Sequence, residues 1–292
     1  MVKSFLNYLE YERAYSQNTI NRYRDSLRDF ERYFKELDGE LQWTGVDRDV
    51  IRDWLGHLMD KGEEATTINA KLSAVRSFFR FALARKLVET DPAHNVAGPK
   101  KKKCLPQFVR EDEMDRLFDQ VEWSDDFQGA RDRAILMTFY ETGIRQAELL
   151  ALDDCDVDFN ARQLKVTGKR NKQRIVPFGE ELSRTLLLYK EKRDEKFATE
   201  QKAFFLTEKG ERVYKGLVYQ VVRKNLSLVC TLKKKSPHVL RHTFATAMLN
   251  HDAGLESVQK LLGHNSLETT EIYTHTTFEQ LKRVYNNAHP RA

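Results

Sequence analysis

Between residues 18 and 37, apolar side chains recur at Ile20, Tyr23, Leu27, Phe30, Phe34 and Leu37, in steps of three and four. Such spacing draws one stripe along a helix. Asn18 or Thr19 stands where a cap is expected, and Asp38-Gly39-Glu40 ends the run. Similar stripes predict helices over about 2–13, 47–61 and 65–87. The third has Asp47 as its expected N-cap and Ile51, Trp54, Leu55 and Leu58 facing inward. The fourth faces Ile68, Leu72, Val75, Phe79 and Ala82 inward. Four helices with short connections make a bundle.

The periodicity then stops. "DPAHNVAGPKKKKCLPQF", residues 91–108, holds three prolines and the run Lys100, Lys101, Lys102 and Lys103. It predicts an exposed, extended linker. The lysines read either as a solvated hinge or as a basic strap laid on phosphates. The strap is preferred, because the segment joins two halves that both look able to hold an anion.

Beyond it the pattern is mixed. A helix is expected over 126–143, with Gly143 in the position that terminates it. "RQLKVTGKRNKQRIVPF", residues 162–178, reads as two short strands around a basic, glycine-containing turn. Further helices are expected at about 180–197, 214–229, 237–251 and 255–262, with short ones at 266–274 and 277–287. The fold class is therefore mainly α with a small β-sheet, an α+β arrangement.

Composition narrows the class. The 292 residues are 40% hydrophobic and 11% aromatic, which supports folded domains rather than disorder. No apolar run approaches the roughly 20 residues that span a bilayer. The N-terminus reads as an amphipathic helix and not as a signal peptide, so a cytoplasmic location is expected. Cys104, Cys155 and Cys230 have no CxxC spacing and read as ordinary reduced thiols. The net charge of +5 says little, but its distribution says more. Residues 111–126 hold eight acids and one arginine, whereas 160–250 hold 21 Lys and Arg against eight Asp and Glu. That asymmetry suits a polyanionic partner.

The candidate chemistry sits in "HVLRHTFATAMLN", residues 238–250. His238, Arg241 and His242 crowd the first turn of a helix, where the macrodipole disfavours cations. His238 and His242 have the i, i+4 spacing of a zinc motif. The general-base Glu is missing and an arginine lies between them, so a metal is not expected. No P-loop or GxGxxG is present either, so no nucleotide cofactor is expected. An anion is the better match. Arg145, in "ETGIRQAELLAL", could be a third cation, or an ordinary surface charge. His264, in a Gly-His-Asn turn, and Tyr273 are each unremarkable alone.

Taken in order, "TGIRQAELLAL", "TGKRNKQRIVPF", "HVLRHTFAT", "VQKLLGHNS" and "TTEIYTH" resemble the tyrosine recombinase (integrase) family. "SQNTINRYRDSLRDFERYF" is similar to that family's core-binding domain. The compact length and the closing "AHPRA" look most like its Xer subgroup, which resolves chromosome dimers before cell division. Ala147 departs from the family's usual serine before Glu148, a difference expected to touch packing more than catalysis.

The resemblance implies a core-binding, SAM-like bundle over 1–90, a basic linker over 91–107 and a catalytic domain over 108–292. Its tail, about 277–292, is expected to dock on a neighbouring protomer. The implied reaction cuts and rejoins DNA through a 3′-phosphotyrosyl bond, without metal, ATP or other cofactor. Matched motif by motif, Tyr273 is the expected nucleophile. Arg145 and Arg241 would fork the phosphate oxygens, as a charged planar donor suits. His238 would act as base, His264 would hydrogen-bond the phosphate, and Glu148 would orient the cluster.

Lys169 matches the general acid. Arg170, Lys172 and Arg174 are its rivals, and only the motif ranks Lys169 first. Those three and Lys100–Lys103 are the expected DNA contacts. His242 is expected to meet a hydrogen-bond partner within its domain. The implied partners are double-stranded DNA and other protomers, as a homo- or heterotetramer on two sites. A second recombinase and a DNA translocase are further candidates, and no membrane is involved. The alternatives are an integrase, invertase or transposon recombinase of the same family, an architectural DNA-binding protein, or a type IB topoisomerase-like enzyme.

Overall fold

The structure, a computed structural model, describes residues 1–101, 107–168, 171–197, 202–263 and 275–292, with backbone alone for 275–279. The chain divides into two compact units, Met1–Cys104 and Leu105–Ala292.

The first unit is the expected bundle. Helix α1 (Val2–Asn7) runs into a π-helical turn at Tyr8–Glu12, and α2 (Gln17–Leu37), α3 (Arg48–Asp60) and α4 (Ala65–Ala84) follow. The α2 stripe buries Ile20, Leu27, Phe30 and Phe34, while Leu37 at its end is exposed. Asn18 and Thr19 lie inside this helix, and Ser16 takes the N-cap position. Asp47 caps α3 as expected, its carboxylate accepting from the N–H groups of Asp49 and Val50, each at 2.9 Å.

Trp43, in the α2–α3 loop, fills the centre. Its ring packs on Phe30, Phe34 and Phe78, and its indole N–H donates to Glu31 at 3.1 Å. A buried indole needs such a partner.

The expected linker begins too early. Ala93 and Val96 are buried in the bundle core. Asn69 donates to the Pro99 carbonyl at 2.8 Å, and Arg76 donates to that of Val96. Two small apolar side chains and two side-chain donors thus tie residues 91–99 to the first unit, although their prolines and polarity look loop-like. Lys100 and Lys101 are exposed, whereas Lys102 and Lys103 lie outside the described residues.

The second unit contains α5 (Glu111–Asp115), α6 (Phe127–Thr142), α7 (Gln146–Ala151), the three-stranded sheet, α8 (Glu180–Lys196), α9 (Lys215–Val229), α10 (Pro237–Asn250), α11 (Leu255–Leu262) and α12 (His275–Ala288). Thirteen of the sixteen residues of α6 are buried, so it forms the centre of the unit rather than an amphipathic face. Helices α8 and α10 pack against it.

The sheet is antiparallel in the order β1 (Val157–Asp158), β2 (Gln163–Thr167), β3 (Gln173–Pro177). Strand β1 was not expected. Leu164 faces Val176 and Val166 faces Arg174, which puts an arginine on the buried side of β3. The helix expected over 266–274 lies outside the described residues.

The tail is seated on its own unit. Leu281, Tyr285, Ala288 and His289 are buried, and Arg291 makes ion pairs with Asp115, Asp119 and Glu181.

Candidate active site

Helix α6 ends at Gly143, whose φ of +57° is the left-handed conformation that glycine adopts without cost. A Cβ there would collide with the Phe244 ring and come within 2.9 Å of Leu262 Cδ2. This tight corner delivers Arg145 to the N-cap of α7. Glu148, one turn on, accepts from the Arg145 backbone N–H at 2.7 Å and from Arg145 Nη1 at 2.8 Å.

The same carboxylate is held from the other side by Arg174. Nη1 donates to Oε1 at 2.7 Å and Nη2 to Oε2 at 2.9 Å. Burial pushes the Glu148 carboxyl up, but the hydrogen bonds and charges of Arg174 and Arg145 outweigh it, and its pKa falls below the usual value. Arg174 is thus buried and committed to Glu148. This guanidinium lies on the inner face of β3, and both its terminal nitrogens are engaged by a buried carboxylate.

Arg241 enters from the first turn of α10 and is buried. Its Nη1 and Nη2 donate to the carbonyls of Gly143 and Leu262, both at 2.6 Å. Burial lowers its pKa to about 10, with the charges of Arg145 and Arg174 adding to the effect. It remains a cation at neutral pH.

All three arginines reach the end of α11, where a helix C-terminus favours positive charge. Arg174 Nε donates to the Leu261 carbonyl at 3.0 Å, Arg241 to that of Leu262, and Arg145 Nη2 to that of Gly263 at 2.9 Å. Gly263 closes the helix at φ +65°, with Arg174 side-chain atoms 3.1 Å from where a Cβ would stand. Among the described residues, three guanidiniums around one carboxylate leave the cluster with an excess of positive charge.

His238 lies beside this cluster, exposed, in the turn that Pro237 opens. Partial burial lowers its pKa, helped by His242, Arg241, Lys234 and Arg145. The ring is therefore mostly neutral at pH 7, the state needed to accept a proton. His242 is exposed and has no hydrogen-bond partner among the described residues. Lys172 is exposed near the β2–β3 turn, which is closed by Gly168 N–H donating to the Lys172 carbonyl at 2.8 Å. Lys169, Arg170, His264 and Tyr273 lie outside the described residues.

One basic surface was missed from the sequence. Tyr219, Arg223, Ser227, Lys233 and Lys235 line a hollow of about 340 Å³ beside α9. The run Lys233-Lys234-Lys235 was its signal, but only the fold brings it beside Arg223.

The chain matches the phage integrase family over residues 107–280 and the N-terminal SAM-like domain of phage integrases over 2–86. It is 40% identical to the tyrosine recombinase XerC of Chlorobaculum tepidum, covering 99% of this chain and 94% of that protein. Against XerC of Staphylococcus saprophyticus identity is 36%, covering 99% and 97%. Among solved structures, XerH site-specific recombinase bound to its difH substrate in a pre-cleavage complex aligns with a TM-score of 0.68 and 25% identity, covering 89% of this chain and 78% of that one. The two matched domains and the full-length likeness to XerC identify the chain as a member of the phage integrase family, a tyrosine recombinase.

Proposed function

We propose that this recombinase cleaves duplex DNA at a specific site with Tyr273 as nucleophile, and that its biological task is the resolution of chromosome dimers in the cytoplasm. The observation that carries the reading is the cationic cluster, in which Arg145, Arg174 and Arg241 surround the carboxylate of Glu148. A phosphodiester gathers negative charge on its non-bridging oxygens as it is attacked. Cations fixed in advance stabilise that charge without reorganising. Arg145 and Arg241 hold the phosphate, while Arg174 and Glu148 hold Arg145 in place.

His238 and His264 complete the phosphate site, and neutral His238 takes the Tyr273 proton. Lys169 returns a proton to the leaving 5′-oxygen. The phosphotyrosyl bond then conserves the linkage for rejoining. Lys100–Lys103, Arg170, Lys172 and the hollow beside α9 supply backbone contacts, so binding weakens steeply with salt. XerC-like relatives and a recombinase solved on its DNA substrate support duplex DNA as the partner. A tetramer on two sites, of one chain or of two recombinases with a DNA translocase as activator, belongs to the same reading.

Covalent trapping tests it. Wild type and Tyr273→Phe are incubated with genomic DNA of the source organism, the mixture is denatured, and protein-linked DNA is sequenced. Wild type is expected to give adducts at a single chromosomal site and the variant none. Adducts at scattered or inverted sites would refute dimer resolution, and adducts from Tyr273→Phe would refute the nucleophile.

A further inference from the structure

Among the buried polar groups of the second unit that the proposed chemistry leaves unused is Glu141. It lies in the last turn of α6 and is fully buried. Its Oε2 accepts from the Gly179 backbone N–H at 3.0 Å and from the Tyr285 hydroxyl of α12 at 3.1 Å. Its Oε1 is buried with no hydrogen-bond partner among the described residues. A carboxylate is costly in such a place, whereas a neutral carboxyl is tolerated.

The surroundings link it to the arginine pocket. His289, just past α12, donates from Nε2 to the Tyr140 carbonyl at 3.2 Å and stacks on Tyr285 and Phe244. Phe244 is the ring that fills the space over Gly143. Gly143, two residues beyond Glu141, supplies the carbonyl that anchors Arg241. The tail therefore presses on the corner that sets both Arg145 and Arg241.

We propose that the carboxyl of Glu141 is a positioning group for the arginine pocket: it holds α12 against the end of α6 while it is protonated, and releases that hold when it ionises. The proposal rests on the recombinase reading for what the pocket does.

The charged neighbours decide the direction. Burial raises the Glu141 pKa to about 8. The Gly179 N–H and Tyr285 hydroxyl pull it down, Glu181 adds to the rise, and Arg291 opposes it. Tyr285 is pushed well above its usual value by burial and by Glu141, so it stays a donor. His289 is pushed down to about 3 by burial, against the Tyr140 carbonyl and with help from Arg291 and His251.

With the tail detached, Glu141 and His289 return toward 4.5 and 6.5. Docking then takes up a proton at Glu141 between about pH 4.5 and 8. It releases one from His289 between about pH 3 and 6.5. From about 4.5 to 6.5 the two cancel. From about 6.5 to 8 only Glu141 counts, and docking weakens by about tenfold per unit.

Amide hydrogen exchange on the full chain tests this. After correction for intrinsic rates, protection of residues 281–288 and of Gly143 is expected to fall together by about tenfold per unit between pH 6.5 and 8. In Glu141→Gln, which keeps an acceptor for Gly179 and Tyr285 but does not titrate, protection should stay flat. Tyr285→Phe, a second variant that leaves the carboxyl in place, should keep the slope. Wild-type protection independent of pH, an equal slope in Glu141→Gln, or a slope in the tail without one at Gly143 would each overturn the proposal.

The ratio of wild-type to Glu141→Gln adduct formation on the genomic DNA should fall over the same range, because shared chemistry cancels in it. A ratio independent of pH would also overturn the positioning role. If neither protein forms adducts even when cell extract of the source organism is added, the recombination reading fails, and the exchange slopes alone decide for or against Glu141.

Discussion

Arg174 and Glu148 are joined by two parallel hydrogen bonds of 2.7 and 2.9 Å, with side chains 8% and 2% exposed. The pair binds strand β3 to the first turn of α7, so the sheet supports the helix that presents Arg145. Replacing Arg174 by Met should destabilise the chain by about 3–5 kcal/mol, the usual cost of breaking a buried ion pair on one side. The salt dependence of DNA binding should not change. Denaturant unfolding checks the first expectation, and a salt titration of binding the second.

Acid should weaken this same joint. The Glu148 carboxyl lies below its usual pKa in the folded chain, so its contribution is fully present above the unfolded value and is lost as pH falls through the folded one. The stability difference between wild type and Glu148→Gln should be largest above about pH 5 and shrink below it. Unfolding midpoints of both proteins across pH 3–7 measure the difference.

Gly143→Ala combines a left-handed backbone with a side chain that meets Phe244 and Leu262. A cost of about 1–3 kcal/mol is expected from overpacking. The displaced carbonyl should also turn Arg241, lowering adduct formation by about a hundredfold. Thermal unfolding and adduct yield at saturating DNA report the two effects separately.

Lys169→Ala should slow cleavage by about 10²–10⁴-fold, the range for a lost general acid. Replacing the 5′-bridging oxygen with sulfur, a far better leaving group, should restore the rate. Failure of that rescue would move the acid to another residue.

Local rules carried far along this chain. The α2 stripe, the Asp47 cap and the turn at Gly143 each depend on neighbours within a few residues, and each is visible as a pattern. Arg174 was not legible. In sequence it is one cation in a basic turn, but its partners are Glu148 and Leu261, distant along the chain, and only the fold closes those distances. Ala93 and Val96 were hidden for the opposite reason, since a proline- and lysine-rich setting looks solvated even when two small side chains fill a core. Of the candidate site, the identities of Arg145, Glu148, His238 and Arg241 were readable from motifs. Their mutual support was not, because much of it runs through main-chain atoms.

Leu261, Leu262 and Gly263 offer consecutive carbonyls to three different arginines. A carbonyl is common to every amino acid, so no exchange of letters at these positions can delete an acceptor. Leu261 and Leu262 should therefore tolerate other apolar residues in a saturation scan for recombination, provided the helix still ends in the same place. Gly263 should not, and an insertion or deletion of one residue in α11 should be the most damaging lesion of all. It would offer each arginine the wrong oxygen while leaving the composition of the pocket unchanged.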